Sequence, residues 1–107
     1  GMAQGIGGAL YEEFLYSEEG QPLSATFADY LWPTAKEVPD VETFVTEDAP
    51  SGTNPLGLKG AGEGGINASG AAIASAVGQA IGDPEAITRL PISPLRLHEI
   101  IKNLQGE

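Results

Sequence analysis

The sequence predicts an α+β fold with two longer helices, a short third, and a small, mostly antiparallel set of strands. Three observations predict it. Apolar residues recur at three- and four-residue spacing in three segments. Two short apolar runs flank a glycine-bearing turn, as in a hairpin. A further run, between two prolines, alternates apolar and polar side chains. With 107 residues, the whole chain (1–107) fits one domain.

The first helix carries Met2, Ile6, Leu10 and Phe14 on one stripe, with Ala9 beside them. Gly5, Gly7 and Gly8 lie inside it, each costing about 1 kcal/mol relative to alanine. Glycines at that cost point to a group approaching the backbone closely. The pattern starts with no capping residue, so the chain is expected to be a piece of something longer.

Phe14-Leu15-Tyr16-Ser17 and Leu23-Ser24-Ala25-Thr26-Phe27 flank Glu18-Glu19-Gly20-Gln21, the expected hairpin. Pro33, Pro39 and Pro50 mark an extended connection. Within it, Val41, Thr43 and Val45 alternate with Glu42, Phe44 and Thr46, which predicts a half-buried strand. A loop is expected over 50–65 and a helix from about 64 to 81. That helix places Ile66, Ile73, Val77 and Ile81 on one stripe and Gly70, Ala74 and Gly78 on a second. The small stripe admits another element close to the backbone. Asp83-Pro84 and Ser93-Pro94 read as caps followed by first-turn prolines. The last helix, about 94 to 105, gathers Leu97, Ile100, Ile101 and Leu104 on one face.

Fifteen acidic residues face five basic ones, a net charge of −10. The cations Lys36, Lys59, Arg89, Arg96 and Lys102 are scattered, which excludes nucleic-acid binding. An apolar fraction of 41% with 19% charged residues argues for an ordered chain. A chain of this size is expected to bury about two-thirds of its unfolded surface. No apolar run approaches the roughly 18 residues of a membrane span. No basic region leads into an apolar stretch at the N-terminus, so the expected location is the cytoplasm. Zero cysteines exclude disulfides, a thiol nucleophile and thiolate metal sites. One histidine, His98, argues against a zinc site built from this chain alone.

The stretch richest in chemistry is Lys59-Gly60-Ala61-Gly62-Glu63-Gly64-Gly65. Gly60, Gly62 and Gly65 satisfy the G-x-G-x-x-G pattern of dinucleotide sites, with Asp83 as the later acid. The preceding Asn54-Pro55-Leu56-Gly57-Leu58 is a poor strand, and Asp83 sits at a turn, so that reading is set aside. Glu63 stands between glycines at an expected helix start, unshielded and free to project into a shared pocket as a general base. The same position suits a solvated acid that complements a helix dipole, and the residues alone favour that plainer reading. Glu12-Glu13 and Glu18-Glu19 read as solvated faces beside a turn. Gln4 is a polar side chain where backbone approach is invited, or one that faces solvent. Tyr30 and Trp32 either line a pocket or pack under the extended connection.

Four ordered blocks resemble one family. Met2-Ala3-Gln4-Gly5-Ile6-Gly7 with Tyr11-Glu12-Glu13 is similar to the start of the last segment of molybdenum hydroxylase large subunits. That family includes xanthine dehydrogenase, aldehyde oxidoreductases and carbon monoxide dehydrogenase. Asp29-Tyr30, Pro33 and Pro39-Asp40 resemble its next block, and Lys59-Gly60-Ala61-Gly62-Glu63 the block with its catalytic glutamate. Ile87-Thr88-Arg89-Leu90-Pro91-Ile92-Ser93-Pro94 resembles its usual ending. Gly64-Gly65 departs from the bulkier residues or proline that many relatives carry after the glutamate.

The resemblance implies the C-terminal part of a molybdopterin-binding domain. It implies a molybdenum–pterin cofactor, in some relatives a cytosine dinucleotide, held between this chain and the rest of the large subunit. Glu63 matches the base, and Gln4, Gly5, Lys59, Gly60, Ala61 and Gly62 match positions near the cofactor, with no direct metal ligand. The implied reaction hydroxylates an aldehyde, an N-heterocycle or carbon monoxide with water as the oxygen source. Iron–sulfur and FAD subunits or domains are the implied partners. Alone, the chain is expected to be inactive, to hold no cofactor, and to form a homo-oligomer through an exposed Ile6–Leu10 face and the small-residue stripe. Two other classes stand beside this one: a stand-alone small-ligand or anion-binding module using the Gly60–Gly65 loop, and a structural interaction domain.

Overall fold

The computed structural model describes residues 1–106. Three helices follow in chain order: α1 (Met2–Leu10), α2 (Ser69–Ala80) and α3 (Pro94–Gln105). Among the described residues there is no strand, and the α+β expectation with its small sheet is overturned. The architecture is helical, with long irregular connections.

The hairpin shrinks to its turn. Gly20 takes the left-handed conformation (φ 81°), and Ser17 N–H donates to the Gln21 carbonyl at 2.9 Å. Pairing then stops at one antiparallel bridge, Tyr16 to Pro22. Pro22 brings no N–H to a ladder, and the Leu15 N–H donates to the Ser24 hydroxyl at 2.9 Å instead of to a carbonyl. The second expected strand, 41–46, takes no regular structure and pairs with nothing among the described residues, and Phe44 is 86% exposed.

The helix ends also move. α1 stops at Leu10, short of Phe14, because Tyr11 and Glu12 both donate their N–H to the Gly7 carbonyl at 2.9 Å. α2 starts at Ser69 and not near Gly64. Two consecutive glycines resist helix at about 1 kcal/mol each, and residues 62–68 form successive turns instead. Asp83-Pro84 caps a single turn, with the Asp83 carboxylate accepting from the Glu85 N–H at 2.9 Å, and no helix follows. Ser93-Pro94 performs as expected: the Ser93 hydroxyl accepts from the Arg96 N–H at 3.3 Å, and Gly106 (φ 76°) closes α3.

The core is small. Ile6 (8% exposed), Ala9 (1%) and Ile92 (3%) are its buried apolar residues. The Ile92 N–H donates to the Ala9 carbonyl at 2.7 Å, which lays the return segment against the end of α1. The Ile6–Ala9 part of the face expected to be exposed is therefore covered. The small stripe is filled from the same chain: a Cβ on Gly70 would lie 2.9 Å from Leu90 Cδ1, and one on Gly78 3.0 Å from Pro84 Cα.

Glu13 ties the ends together, accepting from Arg89 and Arg96, each at 3.1 Å. Arg96 also donates to the Pro91 carbonyl. The exposed surface is 8280 Å², against about 5,600 Å² for a compact protein of this mass. The chain buries only about half of its unfolded surface, not two-thirds. Its radius of gyration is 17.8 Å, against about 13 Å for a compact domain. Among the described residues no helix is long and apolar enough to cross a membrane.

Candidate functional site

Two blocks that lie far apart in sequence meet in space: the Gln4-Gly5 face of α1 and the glycine loop that carries Glu63. A Cβ on Gly65 would lie 2.9 Å from Met2 N, and one on Gly1 3.1 Å from the Gly62 carbonyl oxygen. A Cβ on Gly5 would lie 2.4 Å from Ser69 Cβ and 2.6 Å from its hydroxyl. Only glycine admits main chain against main chain at these distances. Ser69, 6% exposed, closes the junction: its hydroxyl donates to the Gly65 carbonyl at 2.6 Å and stands 3.5 Å from Met2 Sδ.

The other side of the loop is held by Asn54. Its Nδ2 donates to the Leu58 carbonyl at 3.0 Å, and its Oδ1 accepts from Leu58 N–H at 2.9 Å and Leu56 N–H at 3.2 Å. Ser51 N–H donates to the Gly57 carbonyl at 3.0 Å, with Gly57 left-handed at φ 66°. Lys59 to Glu63 are thus presented between a stapled turn and the α1–α2 junction. All five are exposed. A Cβ on Gly60 or Gly62 would meet nothing within 4 Å, so this stretch faces open space.

Glu63 does not stand in the first turn of a helix, because α2 begins six positions later. The helix dipole acts only within that first turn, so it is not what orients Glu63. Its carbonyl instead anchors the turn, accepting from Ile66 N–H at 3.1 Å and Asn67 N–H at 3.3 Å.

Gln4 borders two cavities. One of about 290 Å³ also touches Gly5, Asn67, Gly70 and Leu90. The other, about 440 Å³, also touches Glu12, Trp32 and Pro33. Tyr30 and Trp32 line a third cavity, about 360 Å³, with Phe14 and Phe27. Sequence reasoning passed over Asn67, Ser69 and Asn54. Asn54-Pro55 is a recognisable turn signal, whereas nothing local marks Ser69.

Glu12 is no freely solvated acid. The Tyr30 hydroxyl donates to its carboxylate at 3.0 Å. This hydrogen bond, with burial and the negative charge of Glu12 added, raises the Tyr30 pKa above its ordinary value of 10.0. A raised folded value means the phenol stabilises the fold below about pH 10. That contribution is lost as pH climbs through the folded pKa. Tyrosinate absorbance, read as wild type minus Tyr30→Phe in the complete enzyme, is expected to show Tyr30 ionising late. Glu12→Ala should return it to the ordinary range, and an unchanged titration would refute the coupling.

Among the described residues, no three His, Cys, Asp or Glu side chains gather as a metal-binding set. The glycine face suits an organic group approaching the backbone. Gly60 and Gly62 offer open main chain, and the Gln4 and Asn67 side chains border one cavity beside Gly5.

Comparison with known proteins agrees. Residues 1–39 match the family model described as "Molybdopterin cofactor-binding domain". The chain is 58% identical over 103 residues to the 6-hydroxypseudooxynicotine dehydrogenase complex subunit gamma of Paenarthrobacter nicotinovorans, covering 96% of this chain and 13% of that protein. It is 34% identical over 110 residues to the nicotine 6-hydroxylase large subunit of the same organism, covering 99% of this chain and 13% of that protein. It is 36% identical over 102 residues to the aldehyde oxidoreductase of Megalodesulfovibrio gigas, covering 95% of this chain and 11% of that protein. The chain thus spans about an eighth of the length of these curated relatives. Ordered residue blocks, a glycine-walled junction and relatives of one kind lead to one conclusion: the chain belongs to the molybdenum hydroxylase large-subunit family.

Proposed function

We propose that the chain forms one wall of the molybdenum–pterin pocket in a hydroxylating oxidoreductase, as the C-terminal part of its cofactor-binding domain. The observation that carries this reading is the meeting of α1 with the Glu63 loop: Gly1 and Met2 lie backbone to backbone against Gly62 and Gly65, and Gly5 lies against Ser69. Gln4 and Gly5 hold the cofactor from one side, and Lys59, Gly60, Ala61 and Gly62 from the other. Held between these residues, a molybdenum–pterin group, in the cytosine dinucleotide form or the plain one, would supply two-electron redox chemistry. Glu63 acts as the general base: a carboxylate oxygen takes up the proton released as water supplies the oxygen atom. The glycines around it leave that carboxylate unshielded.

The iron–sulfur and FAD groups of partner subunits carry electrons onward. Names such as "complex subunit gamma" and "large subunit" among the relatives support partners of this kind. Of the three substrate classes, the N-heterocycle is favoured by similarity to proteins named for nicotine and 6-hydroxypseudooxynicotine.

The test is to give the complete enzyme nicotine in water enriched in heavy oxygen and analyse the product by mass spectrometry. The label is expected in the new hydroxyl group. An oxygen atom drawn from dioxygen would overturn the reading.

A further inference from the structure

Between Val38 and Pro50 no main-chain hydrogen bond starts or ends among the described residues. Buried main chain almost always finds partners, so such a stretch is either bathed in water or covered by something else. Its composition argues against water. Val41 is 47% exposed, Val45 81% and Phe44 86%, with β-branched and aromatic residues in alternation. A row of unpaired N–H and C=O groups is a template for another polypeptide.

Area points the same way. The chain exposes roughly 2,700 Å² more than a compact protein of its mass, as much as an obligate interface buries. Charge selects the occupant. Glu37, Asp40, Glu42, Glu47 and Asp48 crowd this stretch with only Lys36 beside them. A second copy would set these acids against each other, on chains that each carry −10. The relatives contain some seven-eighths of their length outside the part this chain matches.

We propose that residues 39–48 dock as an extended arm on the rest of the large-subunit polypeptide, main chain to main chain, with Phe44 in an apolar pocket and the acids against a basic rim. The inference rests on reading the chain as a piece of such a subunit.

Amide hydrogen exchange on the complete, molybdenum-loaded enzyme tests it. Alternate amides across 40–47 should exchange at least about 100-fold more slowly than unstructured chain, unchanged on dilution. Exchange at the unstructured rate would overturn the docking. Protection that vanishes on dilution would overturn it too, in favour of a second copy. The readout needs no turnover. Slow exchange in an enzyme that hydroxylates nothing would therefore sink the proposed function and leave the arm standing.

Discussion

Replacing Glu63 by glutamine in the complete enzyme is expected to lower turnover per bound molybdenum by about 10² to 10⁴, the usual worth of a general base. The amide keeps the size and most of the hydrogen bonding of the carboxylate and loses its capacity to accept a proton. Cofactor content should stay near normal. The scaffold around position 63 is backbone, with the Glu63 carbonyl holding Ile66 and Asn67. The reaction should be followed at saturating substrate and normalised to metal content. Glu18→Gln, in the exposed turn before Gly20, is the control and should change little. Near-normal turnover in Glu63→Gln would remove it from the mechanism.

Gly5→Ala should be nearly as damaging, by a different route. The new Cβ would sit 2.4 Å from Ser69 Cβ, closer than real Cβ contacts come. Ser69 is buried and committed to the Gly65 carbonyl at 2.6 Å, so yielding means losing that bond. Overpacking of this kind costs about 1–3 kcal/mol. The remaining way out is for α1 to move away from the loop. Because α1 carries Gln4 and the loop carries Glu63, a shift of about 1 Å separates the two halves of the site, and displacements of that size cost about 10²-fold in rate. The expected result is a lower melting temperature together with reduced molybdenum per subunit. Gly8 provides the contrast within the same helix. A Cβ there meets nothing within 4 Å, and Gly8→Ala should stabilise α1 by about 0.5–1 kcal/mol. Wild-type metal content and stability in Gly5→Ala would refute the close-packing account.

These two glycines show how far local pattern reaches. The cost of glycine in the first helix signals close approach, and the approach is real at Gly5. Nothing in the pattern distinguishes it from Gly8, because the difference is made by Ser69, far along the chain. α3 is legible almost to the residue, since Ser93, Pro94 and Gly106 are local start and stop signals. The sheet is not. Alternation at 41–46 reports a surface suited to pairing, but no pairing partner lies among the described residues. Glu13 is misread for a similar reason, because Arg89 and Arg96 reach it from 76 and 83 positions away. At the site, glycine spacing marks the loop but misplaces the helix after it. The roles given to Gln4, Lys59 and Glu63 come from the order of residue blocks, which periodicity does not contain.

The Ser69 junction also bears on the order of events as the chain folds. The hydroxyl of Ser69 and the sulfur of Met2 are 67 positions apart, whereas the Asn54 turn closes over 4. Closing the longer loop costs about 2.5 kcal/mol more in chain entropy, so the Asn54 turn forms early and the junction late. The turn that leads into the Glu63 loop is therefore in shape before α1 arrives to close the junction. The folding chain passes through a stage with the Asn54 turn made and the Gln4 face of α1 still apart from Gly65 and Ser69. On the proposed reading of the pocket, a variant that delays closure of the junction should lower cofactor retention before it alters how Glu63 performs.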